Sequence, residues 1–263
     1  ADPTARDAAV AEVLTVGRLL ATRGVPEVIV ADAGDPARVA TAGMDGPGWS
    51  DAQWDEAIRT FDILADALRN ELGMRIVVHH HAGTYLETPA EIDQLLDRTD
   101  PGRIDLLLDT GHYVYGGGDP LDLMQRRGDR VRYVHYKDLD AAKLEHIRRD
   151  RIDMRTAWRR GVFVPLGEGC IDFPELTRLL RPDVVIMDIN MPRMNGIEAT
   201  RRIKQEMPRV SVIGLSVHDD RNLIASMLEA GASGYLTKGG QSEELSRAIH
   251  QVCDTEAGEE SQI

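Results

Sequence analysis

Short apolar runs alternate with helix-like stretches through almost the whole chain, and this alternation limits the fold more than any other feature. Residues 28–30, 76–78, 104–109, 131–136, 184–188, 212–217 and 234–236 are rich in Val, Ile and Leu and too brief for buried helices. Between them the apolar spacing is helical, as with Val10, Val13, Leu14 and Leu20 over residues 7–22. Further helices are expected over 50–71, with Ser50 as cap, and over 89–96, 120–125, 141–158, 173–180, 196–206, 221–230 and 243–252. Strands that alternate with helices in this way specify a parallel sheet with helical crossovers, an α/β fold. Four strands precede residue 181 and three follow it. Residues 161–165 supply either an eighth strand or an extended loop, and Pro165 argues against the strand. Eight parallel strands would close a (βα)8 barrel. Residues 34–48, rich in Gly, Ala, Asp and Pro, read as a long loop at a functional edge, and a Gly-rich loop follows the strand 104–109.

The formal charge of −13 argues against binding to nucleic acid or to an anionic membrane surface, both of which reward the opposite sign. No apolar run approaches the ~20 residues of a membrane helix. Ala1-Asp2-Pro3-Thr4 carries no basic-then-apolar leader, so a cytoplasmic protein is expected. Cys170 and Cys253 have no ligand spacing and read as a reduced pair.

Titratable residues gather where strands end. His79, His80 and His81 close one strand, Asp109 and His112 the next, and His135 and Asp138 a third. The C-terminal ends of parallel strands converge on one face of a barrel, so side chains distant in sequence meet there. Imidazole and carboxylate together suit Zn²⁺, Mn²⁺ or Co²⁺. Such an ion polarises a carbonyl or enediolate oxygen while a neighbouring base moves a proton. The run Arg148, Arg149, Arg151, Arg155, Arg159 and Arg160 reads as a solvated helix face rather than a phosphate site. Trp49, Trp54 and Trp158 read as packing rather than a substrate lid, and His146, His218 and His250 as surface residues.

These residues lie within longer motifs: His79-His80-His81-Ala82-Gly83-Thr84 with Glu87-Thr88-Pro89, Leu108-Asp109-Thr110-Gly111-His112, Tyr115-Gly116-Gly117-Gly118-Asp119-Pro120, Tyr133-Val134-His135-Tyr136-Lys137-Asp138 and Gly167-Glu168-Gly169. Through them residues 1–180 resemble part of a sugar phosphate isomerase/epimerase barrel of the xylose-isomerase-like superfamily, inosose dehydratase above all. The resemblance implies metal-assisted proton transfer beside the carbonyl of a small sugar or cyclitol, with loss of water in the dehydratase case. It implies Asp109 and His135 as metal ligands, and one of His79 to His81 as ligand or base, with His79 and His81 in catalytic roles. His112, Lys137 and Glu168 would contact substrate. The family's first three strands have no counterpart, and the Glu of its eighth strand is replaced.

What replaces it carries a second pattern. Asp188 with Met191-Pro192 and Asn195-Gly196, then Ser216, then Gly234-Tyr235-Leu236-Thr237-Lys238, make residues 181–253 resemble the last three βα units of a flavodoxin-like response regulator receiver, followed by a polar tail over 254–263. The resemblance implies Asp188 as phosphoacceptor, Ser216 as the hydroxyl partner and Lys238 as the phosphoryl-pairing cation. The acidic pair that would hold Mg²⁺ is missing, so this remnant is not expected to hold that ion. The expected whole is a hybrid barrel in which the receiver fragment completes the partial one and Asp188 joins Asp109 and His135 as a metal ligand. A join between whole βα units points to an engineered chimera, with a truncated natural fusion or an artefact of sequence assembly as the alternative. Its expected function is a scaffold with a remnant metal site and little native activity. The alternatives are an active metal-dependent lyase or isomerase and a phosphorylatable receiver-like module. An open sheet edge invites a homodimer.

Overall fold

The run Arg75–His79 places Ile76 and Val78 on one pleat face and Arg75, Val77 and His79 on the other, and the first sheet is built around this division. The computed structural model describes residues 3–191, 195–217, 219–240, 244–245, 247–249 and 251–252. The chain divides into two compact units, Ala1–Leu179 and Leu180–Ile263.

In the first unit, helix α1 (Pro3–Ala21) leads to strand β1 (Glu27–Ala31), helices α2 (Pro36–Thr41) and α3 (Asp51–Leu72), and strand β2 (Arg75–His79). Helix α4 (Pro89–Arg98), strand β3 (Ile104–Asp109), helices α5 (Thr110–Tyr115) and α6 (Pro120–Arg127), and strand β4 (Val131–His135) follow. The four strands pair parallel in the order β1-β2-β3-β4. Ile76, Val78 and Ile104 pack with Val28 against Leu14, Trp54, Ile58, Leu64 and Leu68 on α1 and α3. Each such side chain contributes about 1.5–3 kcal/mol by leaving water. Thr88 and Glu91 cap α4 reciprocally, and Pro89 at its first position needs no N–H partner.

The sheet curls. Glu27 on β1 accepts hydrogen bonds from Arg132 Nε at 2.8 Å and from the Tyr133 hydroxyl on β4, although β2 and β3 lie between the two strands. Ile29 and Tyr133, on this concave side, remain 50% and 42% exposed.

Beyond β4 come the two-residue strand β5 (Asp138–Leu139), helices α7 (Ala141–Arg149) and α8 (Met154–Arg159), the two-residue strand β6 (Phe163–Val164) and helix α9 (Phe173–Leu180). The second unit contains β7 (Val184–Asp188), α10 (Gly196–Glu206), β8 (Ser211–Ser216), α11 (Arg221–Glu229) and β9 (Gly234–Thr237). Its strands pair parallel in the order β7-β8-β9 around Met187, Ile189, Val212 and Met227.

Several expectations change. The described strands form three separate sheets, so a closed eight-stranded barrel is not shown. Residues 161–165 give no eighth barrel strand: β6 pairs antiparallel with β5 as a short clasp. The long loop over 34–48 contains α2, capped by Asp35 and opened by Pro36. The Gly-rich segment after β3 begins as helix α5 because the Asp109 carboxylate accepts the His112 N–H and caps it. The helix expected over 141–158 breaks where Arg151 takes φ 51° and Asp153 caps a new helix. The helix expected over 243–252 lies partly outside the described residues, and Pro192, His218, His250, Cys253 and the tail lie outside them wholly. Among the described residues, no helix is long and apolar enough to cross a membrane.

Candidate metal centre

The ends of β2, β3 and β4 bring His79, Asp109 and His135 together. One ligand atom from each lies within 4.8 Å of the others. His79 Nε2 and His135 Nδ1 each stand 3.7 Å from Asp109 Oδ2. Pairing in register makes this so, since Asp109 sits opposite His135 across the β3–β4 ladder. Asp109 is fully buried, whereas the His135 side chain is 51% exposed, so the cluster has one closed and one open side.

Asp109 works at both oxygens. Oδ1 accepts the His112 N–H at 3.1 Å as the cap of α5. Oδ2 faces the two imidazoles and Lys137 Nζ, an ion pair at 2.8 Å whose angles are not those of a hydrogen bond. Burial pushes the Asp109 carboxyl up, but His135, His79, His112 and Lys137 together outweigh it and hold the group well below the usual carboxylate range.

A ring of imidazoles surrounds this carboxylate. His80 is fully buried, its Nε2 accepts the Asp109 N–H at 3.1 Å, and burial lowers its pKa to about 3. His112 is also buried and lowered to about 2 for the same reason. Its Nε2 lies 3.1 Å from Lys137 Nζ, and its ring lies 3.5 Å from that of His81 by centroid. Burial lowers His81 too. These rings are neutral at pH 7, which is the form that accepts a proton.

Whether these residues suit a divalent ion is decided by their unsatisfied atoms. Asp109 Oδ2 and His79 Nε2 are buried without a hydrogen-bond partner, and both point into the cluster. Two imidazoles with an ionised carboxylate match Zn²⁺, Mn²⁺ or Co²⁺, so the fit is good.

His81, His112 and Lys137 lie beside the cluster together with His79. Glu168 rides the loop between β6 and α9. That loop is held by Asp138, which the sequence groups with the strand-end acids. Asp138 instead accepts backbone N–H groups from Leu139, Gly167 and Gly169 at 2.9 Å and from Ile171 at 3.3 Å. Trp54 is buried, Trp49 stacks on Tyr85, and Trp158 is 53% exposed with its edge toward Phe163. His146 faces Asp150 on an exposed helix.

Sequence reasoning misses Arg38 and Gly43, gives Glu87 no role beyond its motif, and misassigns Arg148. Arg38 is buried, donating to Thr84 O at 2.7 Å and to both oxygens of Glu91 at 3.0 and 3.1 Å. Burial raises the Glu87 pKa against the pull of the Gly43 and Gly83 N–H groups and of Arg38. Arg148 is no solvated residue: it donates to three backbone carbonyls. Nothing in composition marks such pairs, because a buried and a solvated Arg are spelled alike.

Asp188 belongs to the second unit. There its Oδ2 pairs with Lys238 Nζ at 2.5 Å, its Oδ1 accepts the Asn190 N–H at 3.1 Å, and Asn190 Nδ2 reaches Ser216 Oγ at 3.5 Å. The three receiver-type residues are thus grouped at the ends of β7, β8 and β9. The second unit contains no three-ligand His, Cys, Asp or Glu cluster among its described residues.

Comparison with known proteins finds two families whose matches overlap over residues 169–208, across the boundary between the units. A family of xylose isomerase-like TIM barrels matches residues 1–208, and the response regulator receiver domain matches 169–250. Inosose dehydratase of Geobacillus kaustophilus (strain HTA426) is 46% identical over 135 residues, covering 51% of this chain and 44% of that one. Inosose dehydratase of Lacticaseibacillus casei is 40% identical over 129 residues, covering 49% and 43%. The chain thus spans less than half the length of these relatives. Among solved structures, the IOLI protein with a bound zinc atom is 16% identical with a TM-score of 0.51, covering 69% of this chain and 58% of that one, which is a likeness of fold. A response regulator receiver domain protein from Clostridium thermocellum is 31% identical with a TM-score of 0.29, covering 32% and 71%.

Proposed function

The chain belongs to the xylose isomerase-like TIM-barrel family, and we propose that its first unit binds a divalent metal through His79, Asp109 and His135 as the remnant of an inosose dehydratase-type site. The observation that carries this reading is the half-open cluster itself, in which His79 Nε2 is buried without a hydrogen-bond partner and Asp109 Oδ2 faces both imidazoles at 3.7 Å. Bound there, a divalent ion would act as a Lewis acid on the carbonyl oxygen of a small sugar or cyclitol.

The surrounding residues set what can follow. Neutral His81 is the imidazole placed to take a proton from a carbon next to that carbonyl, while His112, which burial keeps from protonating, contacts the substrate. Lys137, reaching Asp109 Oδ2 and His112 Nε2, supplies positive charge where an enediolate would carry negative charge. Glu168 stands on the Asp138-held loop as an acid for a departing hydroxyl. Native turnover is proposed to be low, because β7 brings receiver sequence where the resemblance puts a ligand-bearing strand. The grouping of Asp188, Ser216 and Lys238 is read as inherited from a receiver.

Titration of the metal-free chain with Mn²⁺, Co²⁺ and Zn²⁺ tests the reading. Stoichiometric binding is expected, with loss in Asp109→Asn and His135→Ala. A folded chain that binds none of the three would end it.

A further inference from the structure

The loops that follow four successive strands are tied together at one peptide. Gly43, in the segment after β1, donates its N–H to Glu87 Oε1, and its carbonyl accepts from Arg148 Nε at 3.1 Å. Glu87 Oε2 accepts the Gly83 N–H at 2.9 Å, which reaches the turn after β2, and lies 3.6 Å from Arg38 NH2. Arg148 NH2, from the helix after β4, donates to Val114 O at 3.1 Å and Tyr115 O at 2.7 Å, which close the helix after β3. Only glycine fits at the junction. Gly43 has φ +72°, and a Cβ would stand 2.8 Å from the Tyr115 ring and 2.9 Å from its carbonyl oxygen.

We infer that Glu87 and Arg148, joined through the Gly43 peptide, are positioning residues that hold the strand-end loops of the metal face in mutual register. The inference rests on the metal-centre reading above. The turn held by Glu87 carries His81 and Ala82, and the Ala82 N–H meets His112 Nδ1 at 3.4 Å. The helix held by Arg148 begins at Asp109, whose side chain caps it. Neither residue touches a ligand, yet each fixes the far end of an element that starts at one. Two backbone donors and three backbone carbonyls of the junction are bonded by these two side chains, so removing either loosens a loop.

The test uses the full chain and Co²⁺, read well below the unfolding temperature. Glu87→Gln and Arg148→Met are each expected to weaken Co²⁺ affinity about tenfold. Arg148→Lys should recover part of the loss, and the double variant should lose less than the product of the singles, because both act through one peptide. Co²⁺ affinity within twofold of the parent in both folded single variants would overturn the inference. If the parent binds no Co²⁺, the metal reading fails by itself, and amide hydrogen exchange then decides this one. Arg148→Met should speed exchange at Gly83, and Glu87→Gln at Gly117, loops that the altered residue does not bond. Unchanged exchange at both amides would overturn the inference in that case.

Discussion

Asp138→Asn should destabilise the first unit by about 2–4 kcal/mol. The carboxylate collects four backbone N–H groups, two on each oxygen: Leu139 and Ile171 on Oδ1, Gly167 and Gly169 on Oδ2. Asparagine keeps one acceptor oxygen and turns an NH2 toward the other pair, so two donors face a donor. Each buried donor left without a partner costs about 1–3 kcal/mol. Partial relief comes from the exposure of Gly167 and Gly169, which can turn to water, and from no longer burying a charge. For a unit of this size the loss corresponds to a fall in Tm of about 5–15 °C. All three tryptophans, Trp49, Trp54 and Trp158, lie in Ala1–Leu179, so their fluorescence follows this unit alone. Gly169→Ala attacks the same nest by another route, since its Cβ would collide with Asp138 Oδ1. The two losses should therefore be less than additive. A Tm within 1 °C of the parent in Asp138→Asn, read to about that precision, would refute the reasoning that these four bonds hold the loop.

Acid should destabilise the metal-free protein earlier than carboxylate protonation alone would. His80 and His112 are depressed from 6.5 to about 3 and about 2, so below pH 6.5 the unfolded chain binds protons that the folded chain refuses. Stability therefore falls as pH drops through 6.5 and goes on falling toward pH 3, by up to about 1.4 kcal/mol per pH unit for each ring. Urea midpoints that stay flat between pH 7 and pH 5 would contradict this. In the second unit, acetyl phosphate with Mg²⁺ should leave the chain's mass unchanged, because Lys238 occupies Asp188 Oδ2 at 2.5 Å and no metal cluster adjoins it among the described residues. A phosphoryl adduct that disappears in Asp188→Asn would show instead that this carboxylate is still a phosphoacceptor.

How much of this is legible in the sequence depends on the range of the interaction. Strand β3 is readable because its six residues, Ile104–Asp109, are largely apolar up to the acid that caps the next helix, and all are buried. The meeting of His79, Asp109 and His135 is readable because parallel pairing leaves strand ends little choice of neighbours. Pairing of Asp109 with His135 and of Ala31 with His79 follows from that topology. Asp138 misleads for a reason equally physical. It follows His135 by three residues and so looks like a site acid, but β5 turns it to face four amide protons, three of them from a loop some thirty residues on. Side chain to backbone bonds of that reach leave no periodic trace. Arg148 shows the same limit from the basic side, since a solvated arginine on a helix differs from a half-buried tie only by which carbonyls lie within reach. Closure is beyond the sequence for a further reason. Counting strands gives eight only if residues 161–165 extend parallel to β4, and Phe163–Val164 instead turns back antiparallel on Asp138–Leu139. A two-residue clasp and a barrel strand share composition, and what separates them is where Asp138 finds its hydrogen bonds.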